Sequence, residues 1–207
     1  GVRAWLKLNM VDAKIEGIMD VINFGYLSIS QRNRIKSTDR EKYLEEIEKQ
    51  IGNECYIRSH EIKEEYSNEK KLTERFEFEA EQVFQESNVY LDPFLFKFFE
   101  TNPFSESVRS YPIDFGYLRV YEIIMNLEIP DGYRIKDKPK SVNVSLPENL
   151  GHMKFDLQEN QGGIVNMIFT FKLNATHFQN QSFEMIRDFF GQAVDIQNHS
   201  LLVLEKI

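Results

Sequence analysis

A single cysteine, Cys55, in 207 residues rules out an intramolecular disulfide framework and a cysteine-rich metal site. No apolar run approaches the ~20 residues that a membrane-spanning helix needs, and no charged start followed by an apolar stretch and a small-residue cleavage site marks a signal peptide. Positive charge is in deficit: 25 Lys and Arg face 33 Asp and Glu, a formal net charge of −8. With no basic stripe to neutralise a run of phosphates, nucleic acid is excluded as a partner class, and an anionic membrane surface would repel the chain. Glycine is sparse, at 10 residues, and Trp5 is the only tryptophan. What the chain does have is rings: 17 Phe and 9 Tyr in a sequence that is 42% apolar. That content supports a sizeable core, and aromatic with β-branched residues favour strands over helices. Gly1-Val2-Arg3 leads straight into an extended run, as expected of a fragment excised from a longer polypeptide.

The hydrophobic pattern alternates between two periods. Val2, Ala4, Leu6, Leu8 and Met10 share one face of a strand, and Lys14 to Phe24 forms a second extended run after the Val11-Asp12-Ala13 turn, which predicts a β-hairpin. Beyond Gly25 the period lengthens. Thr38 and Glu41 have capping-box spacing, Tyr43, Leu44, Ile47 and Ile51 lie on one helical stripe, and Gly52 stands where a helix stops, so residues 39–51 are expected to form an amphipathic helix. Cys55 to Tyr66 reads as a strand, followed by a polar turn around Ser67-Asn68-Glu69-Lys70. Phe76, Phe78 and Ala80 then alternate with Glu77, Glu79 and Glu81.

In the second half, Tyr121 to Ile129 and Val142 to Leu146 read as strands stopped by Pro130-Asp131-Gly132 and Pro147-Glu148-Asn149. Met153 to Leu157 and Val165 to Leu173 flank a Gly162-Gly163 turn, a second hairpin. Phe183, Ile186, Phe190, Ala193 and Val194 mark a helix over about 182–198, and Leu201 to Leu204 a last strand. The expected fold class is α+β, a predominantly antiparallel sheet or sandwich with two main amphipathic helices. The expected organisation is one coupled module over 1–207, with a division into 1–104 and 105–207 as the alternative.

The residue types that carry chemistry are dispersed. Cys55 has no base or helix N-terminus beside it and reads as a small buried hydrophobe. His60, His152, His177 and His199 fall in four different elements, so no metal site is predicted. Gly162-Gly163 lacks the strand-to-helix setting of a phosphate loop, and Glu77, Glu79 and Glu81, spaced ~7 Å apart on one strand face, read as a solvated surface. No catalytic residue, cofactor or metal ligand is assigned. Arg109 and Asp114 are a candidate charged pair within the stretch Asn102 to Tyr117, where Pro103, Pro112 and Gly116 dictate an irregular path pinned by rings.

That stretch, with Leu91-Asp92-Pro93-Phe94-Leu95-Phe96 before it and Ile129-Pro130-Asp131-Gly132-Tyr133 after it, resembles the C-terminal region of bacterial transglutaminase-like envelope proteins, a domain of unknown function. The resemblance implies a periplasmic or cell-surface location and an upstream catalytic-like domain as partner. It implies a non-catalytic accessory or scaffolding role, since no segment has the Cys, His and Asp order of the catalytic members. Phe94, Phe96, Phe98, Phe99, Phe104, Tyr111, Phe115 and Tyr117 are the candidate interdomain contacts, against the plainer reading that most of these rings fill the core. The alternative function is a glycan- or peptide-binding module that uses Trp5 or exposed tyrosines as stacking platforms.

Overall fold

The computed structural model describes residues 1–11, 14–52, 54–63, 70–81, 83–85 (backbone only), 87–160 and 162–207. The Asp12-Ala13 turn, most of the polar turn at 67–70 and Gln161 of the second hairpin lie outside the described residues. In chain order the elements are β1 (Val2–Val11), β2 (Lys14–Phe24), α1 (Tyr26–Ser37), α2 (Arg40–Ile51), β3 (Tyr56–Lys63), β4 (Lys71–Glu81), β5 (Val83–Gln85) and β6 (Asn88–Leu91). They continue with β7 (Ile113–Asp114), β8 (Arg119–Glu128), β9 (Tyr133–Asp137), β10 (Val142–Ser145), β11 (Gly151–Asn160), β12 (Ile164–Leu173), β13 (His177–Phe178), α3 (Phe183–His199) and β14 (Leu202–Lys206). The fold is α+β and mainly antiparallel.

One eight-stranded sheet, in the order β10-β11-β12-β8-β1-β2-β4-β3, runs through both halves of the chain. Its two flanks are antiparallel ladders built from their own hairpins, and they meet where β1 runs parallel to β8, pairing Val2 with Tyr121 through Asn9 with Glu128. Strand alternation sets the inner face. Ala4, Leu6 and Leu8 of β1 lie in register with Ile123, Met125 and Leu127 of β8, and all six are buried. The cover over this face has three parts: α1 and α2 over β2, β4 and β3, α3 against β12, and a smaller sheet ordered β5-β6-β14-β9. Val89, Leu91, Leu202 and Leu204 of the small sheet join the same continuous core. The opposite face of the large sheet is open to solvent, with Trp5, Ile18 and Ile168 exposed on it.

The structure corrects the local expectations in two places. The helix over 39–51 exists, but its cap is Asp39, whose Oδ1 accepts from the backbone of Glu41 at 2.9 Å and Lys42 at 3.4 Å; Thr38 ends the preceding helix instead. That preceding helix, α1, is a third helix beyond the two expected, and Ser28 is its one fully buried residue, so it has no apolar stripe to announce it. The strand expected over Cys55 to Tyr66 is present as Tyr56–Lys63, and residues 64–66 lie outside the described residues. Elsewhere the ends agree with their chemistry: Gly52 stops α2 with φ 76°, donating its N–H to Glu48 O at 2.9 Å.

An ion triad spans the parallel junction on the solvent face. Glu122 of β8 pairs with Arg3 of β1 and, at 2.9 Å, with Lys172 of β12. Burial alone would raise the Glu122 pKa, but the bonds from Lys172 and Arg3 outweigh it and hold the carboxyl below its ordinary value. A depressed folded-state pKa gives stabilisation that is complete above the ordinary value of 4.5 and lost as pH falls through the lowered one. Glu122→Gln is therefore expected to cost about 1 kcal/mol at pH 7. Denaturant titrations of both proteins should show the gap closing as the pH is taken down towards 3; a gap that persists there means the triad is not its source.

Candidate functional site

The inner face of the sheet is not covered evenly. Helices α1 and α2 cover one flank, and the irregular segment 92–104 with α3 covers the other, which leaves a seam of two adjoining clefts above β1 and β8. One, of about 340 Å³, lies between Leu27, Gln31 and Tyr43 on the helices and Phe96 and Phe98 on the segment. The other, of about 530 Å³, is walled by Phe98, Phe104, Phe115, Tyr121 and Phe190. Gln50, Lys97, Phe98 and Tyr121 border both.

Segment 92–104 has no ladder of its own, so its polar backbone groups need other partners. Side chains supply them. Asp92 and Asn102 each fold back on the backbone N–H two residues on, that of Phe94 at 2.8 Å and Phe104 at 3.0 Å. From α3, the fully buried Gln197 accepts from Phe98 N at 2.8 Å, and Asn198 donates to Glu100 O at 2.9 Å. Asn102 donates in return to Arg187 O at 2.9 Å. Lys97 and Asp92 form an ion pair at 2.9 Å; burial nevertheless raises the Asp92 pKa against the pull of that lysine.

With the segment fixed this way, the eight rings singled out in the sequence divide by depth. Phe94 is enclosed by Phe155 and Phe169, and Phe99 by Tyr121, Phe171 and Phe190, so neither offers surface to a second domain. Phe96, Phe98, Phe104 and Phe115 are half-buried around the clefts, with Phe104 edge-on to Phe115, Phe183 and Phe190. Tyr117 stacks on Tyr26 of α1 at 5.6 Å, and Tyr111 is 78% exposed. Arg109 and Asp114 do not pair with each other: Arg109 Nε donates to Tyr111 O at 3.1 Å, and Asp114 Oδ1 accepts from Gly116 N at 2.8 Å. Each carboxylate or guanidinium is used locally to hold the turn.

Beneath α1 and α2 lies a polar cluster centred on Glu74 of β4. Glu74 is 1% exposed on the apolar face of β4, in phase with Leu72, Phe76, Phe78 and Ala80. The Tyr43 hydroxyl donates to Glu74 Oε1 at 2.6 Å, Gln31 Nε2 donates to Glu74 Oε2 at 2.7 Å and to Tyr43 Oη at 2.8 Å, and His60 Nε2 lies 3.2 Å from Oε1. The His60 side chain, 2% exposed, stacks on Phe76 at 4.6 Å. Burial first, and then the Glu74 carboxyl group, push the Tyr43 pKa far above its ordinary value, which keeps the phenol a donor. The cluster ties α1, α2, β3 and β4 at one point.

The remaining candidates are apart from the seam and from one another. Cys55 precedes β3, where burial and then the carboxylates of Glu48 and Glu79 push its thiol up to about 12; at neutral pH it is not a thiolate. His152 bonds Asn143, His177 lies near Gln179, and His199 lies near Asp195. Among the described residues no three His, Cys, Asp or Glu side chains converge as metal ligands, and no helix is long and apolar enough to cross a membrane.

The segment that builds the seam also identifies the chain. The model of a family described as a domain of unknown function with a solved structure (DUF3858) matches residues 87–203, more than half of the chain, and the chain belongs to that family. The match begins just ahead of β6 and ends within β14, so it includes segment 92–104, β8 and α3. No curated protein and no solved structure matches the chain.

Glu74→Ala removes the acceptor of two buried donors and is expected to destabilise the fold by about 3 kcal/mol, whereas Tyr43→Phe should cost about 1–2 kcal/mol. Denaturant unfolding checks both; equal, small losses for the two variants would show that the cluster does not bear on stability.

Proposed function

We propose that this chain is a non-catalytic accessory module that packs on, or positions, a neighbouring domain of its own polypeptide. In keeping with the resemblance of residues 91–96 and 102–117, that neighbour is a transglutaminase-like domain upstream, and the polypeptide works in the bacterial envelope, periplasmic or at the cell surface. The observation that carries the reading is the outer edge of the chain between Val108 and Leu118. Val108, Tyr111 and Leu118 are exposed there, and Tyr26 of α1, stacked on Tyr117, adds another exposed ring. Apolar side chains concentrated on one loop of an acidic protein are what a docking surface requires. The loop around them is fixed by Arg109, Asp114 and the short β7–β13 ladder, so its ordering cost is met before any partner arrives.

A second reading, glycan or peptide binding, draws on a different surface. Trp5 is 37% exposed on the open sheet face, with the Arg3 guanidinium 5.6 Å from its ring centre. Because Trp5 is the sole tryptophan, its fluorescence reports on that face alone. Titration with glycan and peptide panels should leave the emission unchanged under the docking reading, and a saturable shift would favour the second.

The docking reading is tested by calorimetry between this chain and the upstream domain of its polypeptide. The combined substitution Val108→Ser, Tyr111→Ser and Leu118→Ser is expected to change the chain's own stability by less than about 1 kcal/mol and to weaken association about tenfold or more. Association that is absent from the start, or indifferent to the triple substitution, overturns it.

A further inference from the structure

Arg119 opens β8 at the wall of the larger cleft, and it is bonded unlike most arginines of the chain. Arg3, Arg34, Arg58, Arg75, Arg134 and Arg187 each face a carboxylate. The hydrogen bonds of Arg119 reach only neutral groups, Nη1 donating to Tyr117 Oη at 2.9 Å and to Tyr121 Oη at 3.3 Å, and the charged group near it is a second cation, the Gly1 ammonium, whose pKa is lowered by burial and then by the guanidinium. Nη2 makes no hydrogen bond among the described residues, and Nε, enclosed by its surroundings, has no acceptor either. The guanidinium lies 4.3 Å from the Tyr117 ring centre and 5.4 Å from that of Phe115, stacking that fixes its plane but leaves its donors unspent.

Within the cleft this cation is surrounded by rings. Phe98, Phe104, Phe115, Tyr121 and Phe190 supply apolar walls to a volume of about 530 Å³, in the range of pockets that enclose small organic ligands. The cleft is open on one side, and a ligand body lying against its rings would shield a charge-assisted bond at Arg119 from solvent on the other. The cleft also limits the charge it accepts. Lys97 at its border is already paired with Asp92, and Glu100 is exposed, so among the described lining residues Arg119 is the cation left without a carboxylate, which suits a ligand with a single negative charge. A phosphate dianion would bring two charges to this one guanidinium and meet more repulsion from Glu100 than a carboxylate does.

We propose that the Arg119 cleft binds a carboxylate carried on an aromatic or large apolar body, the carboxylate on the guanidinium and the body among the rings. The same chemistry is offered by a free aromatic acid and by the C-terminal residue of a peptide ending in an aromatic side chain. The cleft adjoins the docking edge at Leu118 and Tyr117, but its walls are other side chains and its test uses small ligands in place of the upstream domain, so the two readings fail separately.

The test is a set of NMR titrations of the whole chain with N-acetylphenylalanine, its amide, phenyl phosphate, and a short peptide ending in phenylalanine with either a free or an amidated terminus. The free acids are expected to shift the Arg119 side-chain N–H signals and the rings of Phe98, Phe104 and Tyr121, and to bind about tenfold more tightly than the amides. Tighter binding of the small acid points to a free metabolite, tighter binding of the free-terminus peptide to a chain end, and either supports the site. Arg119→Gln should abolish the preference for acid over amide, while Arg119→Lys should keep part of it. Acid and amide that bind alike, no shift at millimolar ligand, or phenyl phosphate as the tightest ligand overturns the proposal. The comparison of acid with amide needs no variant and decides the matter even if Arg119→Gln fails to fold.

Discussion

The parallel pairing of β1 with β8 turns two separate antiparallel flanks into one sheet with one core. On its own, each flank of the large sheet is a set of antiparallel hairpins with an open edge at β1 or β8, and an open edge with one apolar face is a poor end state. Joining the edges removes both and aligns two inner faces into one, from Leu157 of β11 to Phe76 of β4. The Arg3–Glu122–Lys172 triad crosses the same junction from the solvent side. Parallel strands cannot be joined by a tight turn, and here the chain between them includes two helices, β3 to β7 and the ring-bearing segment, which together make much of the cover.

The seam is a consequence of that arrangement. Two covers that arrive from different parts of the chain meet over β1 and β8 without interdigitating fully, and the surfaces they leave are those of segment 92–104 and the start of β8. The segment holds its shape without regular structure because Gln197 and Asn198 of α3 satisfy its backbone, and its rings lock edge-to-face against Phe171, Phe183 and Phe190. Rigid aromatic walls beside an underused guanidinium are therefore a product of the packing, and they give this domain of unknown function a surface with definite chemistry.

Much of the fold was legible in short-range pattern. Alternation along β1, β4, β11 and β12 and the stripes of α2 and α3 carry their own evidence, because each buries one face against the same core. Helix α1 was not legible: Tyr26 and Ile29 point to solvent, and Ser28 is buried by donating its hydroxyl to Gly25 O at 2.8 Å, a reason that no hydropathy period records. The β1–β8 pairing joins residues 119 positions apart, as in Arg3 and Glu122, and has no local sign. The candidate site was visible in part. The aromatic richness of 94–117 was plain, but which rings face inward is decided by side chains on α3 about 99 residues on. Glu74 could have been found, since its position in the β4 alternation places a carboxyl group on the buried face, where only a polar partner makes it tolerable. Arg119 could not, because its significance is the absence of a carboxylate that only the assembled fold reveals.

Native-state hydrogen exchange across β1 and β8 distinguishes one cooperative sheet from two flanks that open separately. If the parallel ladder makes one cooperative sheet, the amides of Ala4, Leu6 and Leu8 and those of Ile123, Met125 and Leu127 exchange with the same free energy, equal to that of global unfolding. Exchange of the β1–β4 flank at a distinctly lower free energy, with β8, β11 and β12 still protected, would contradict it.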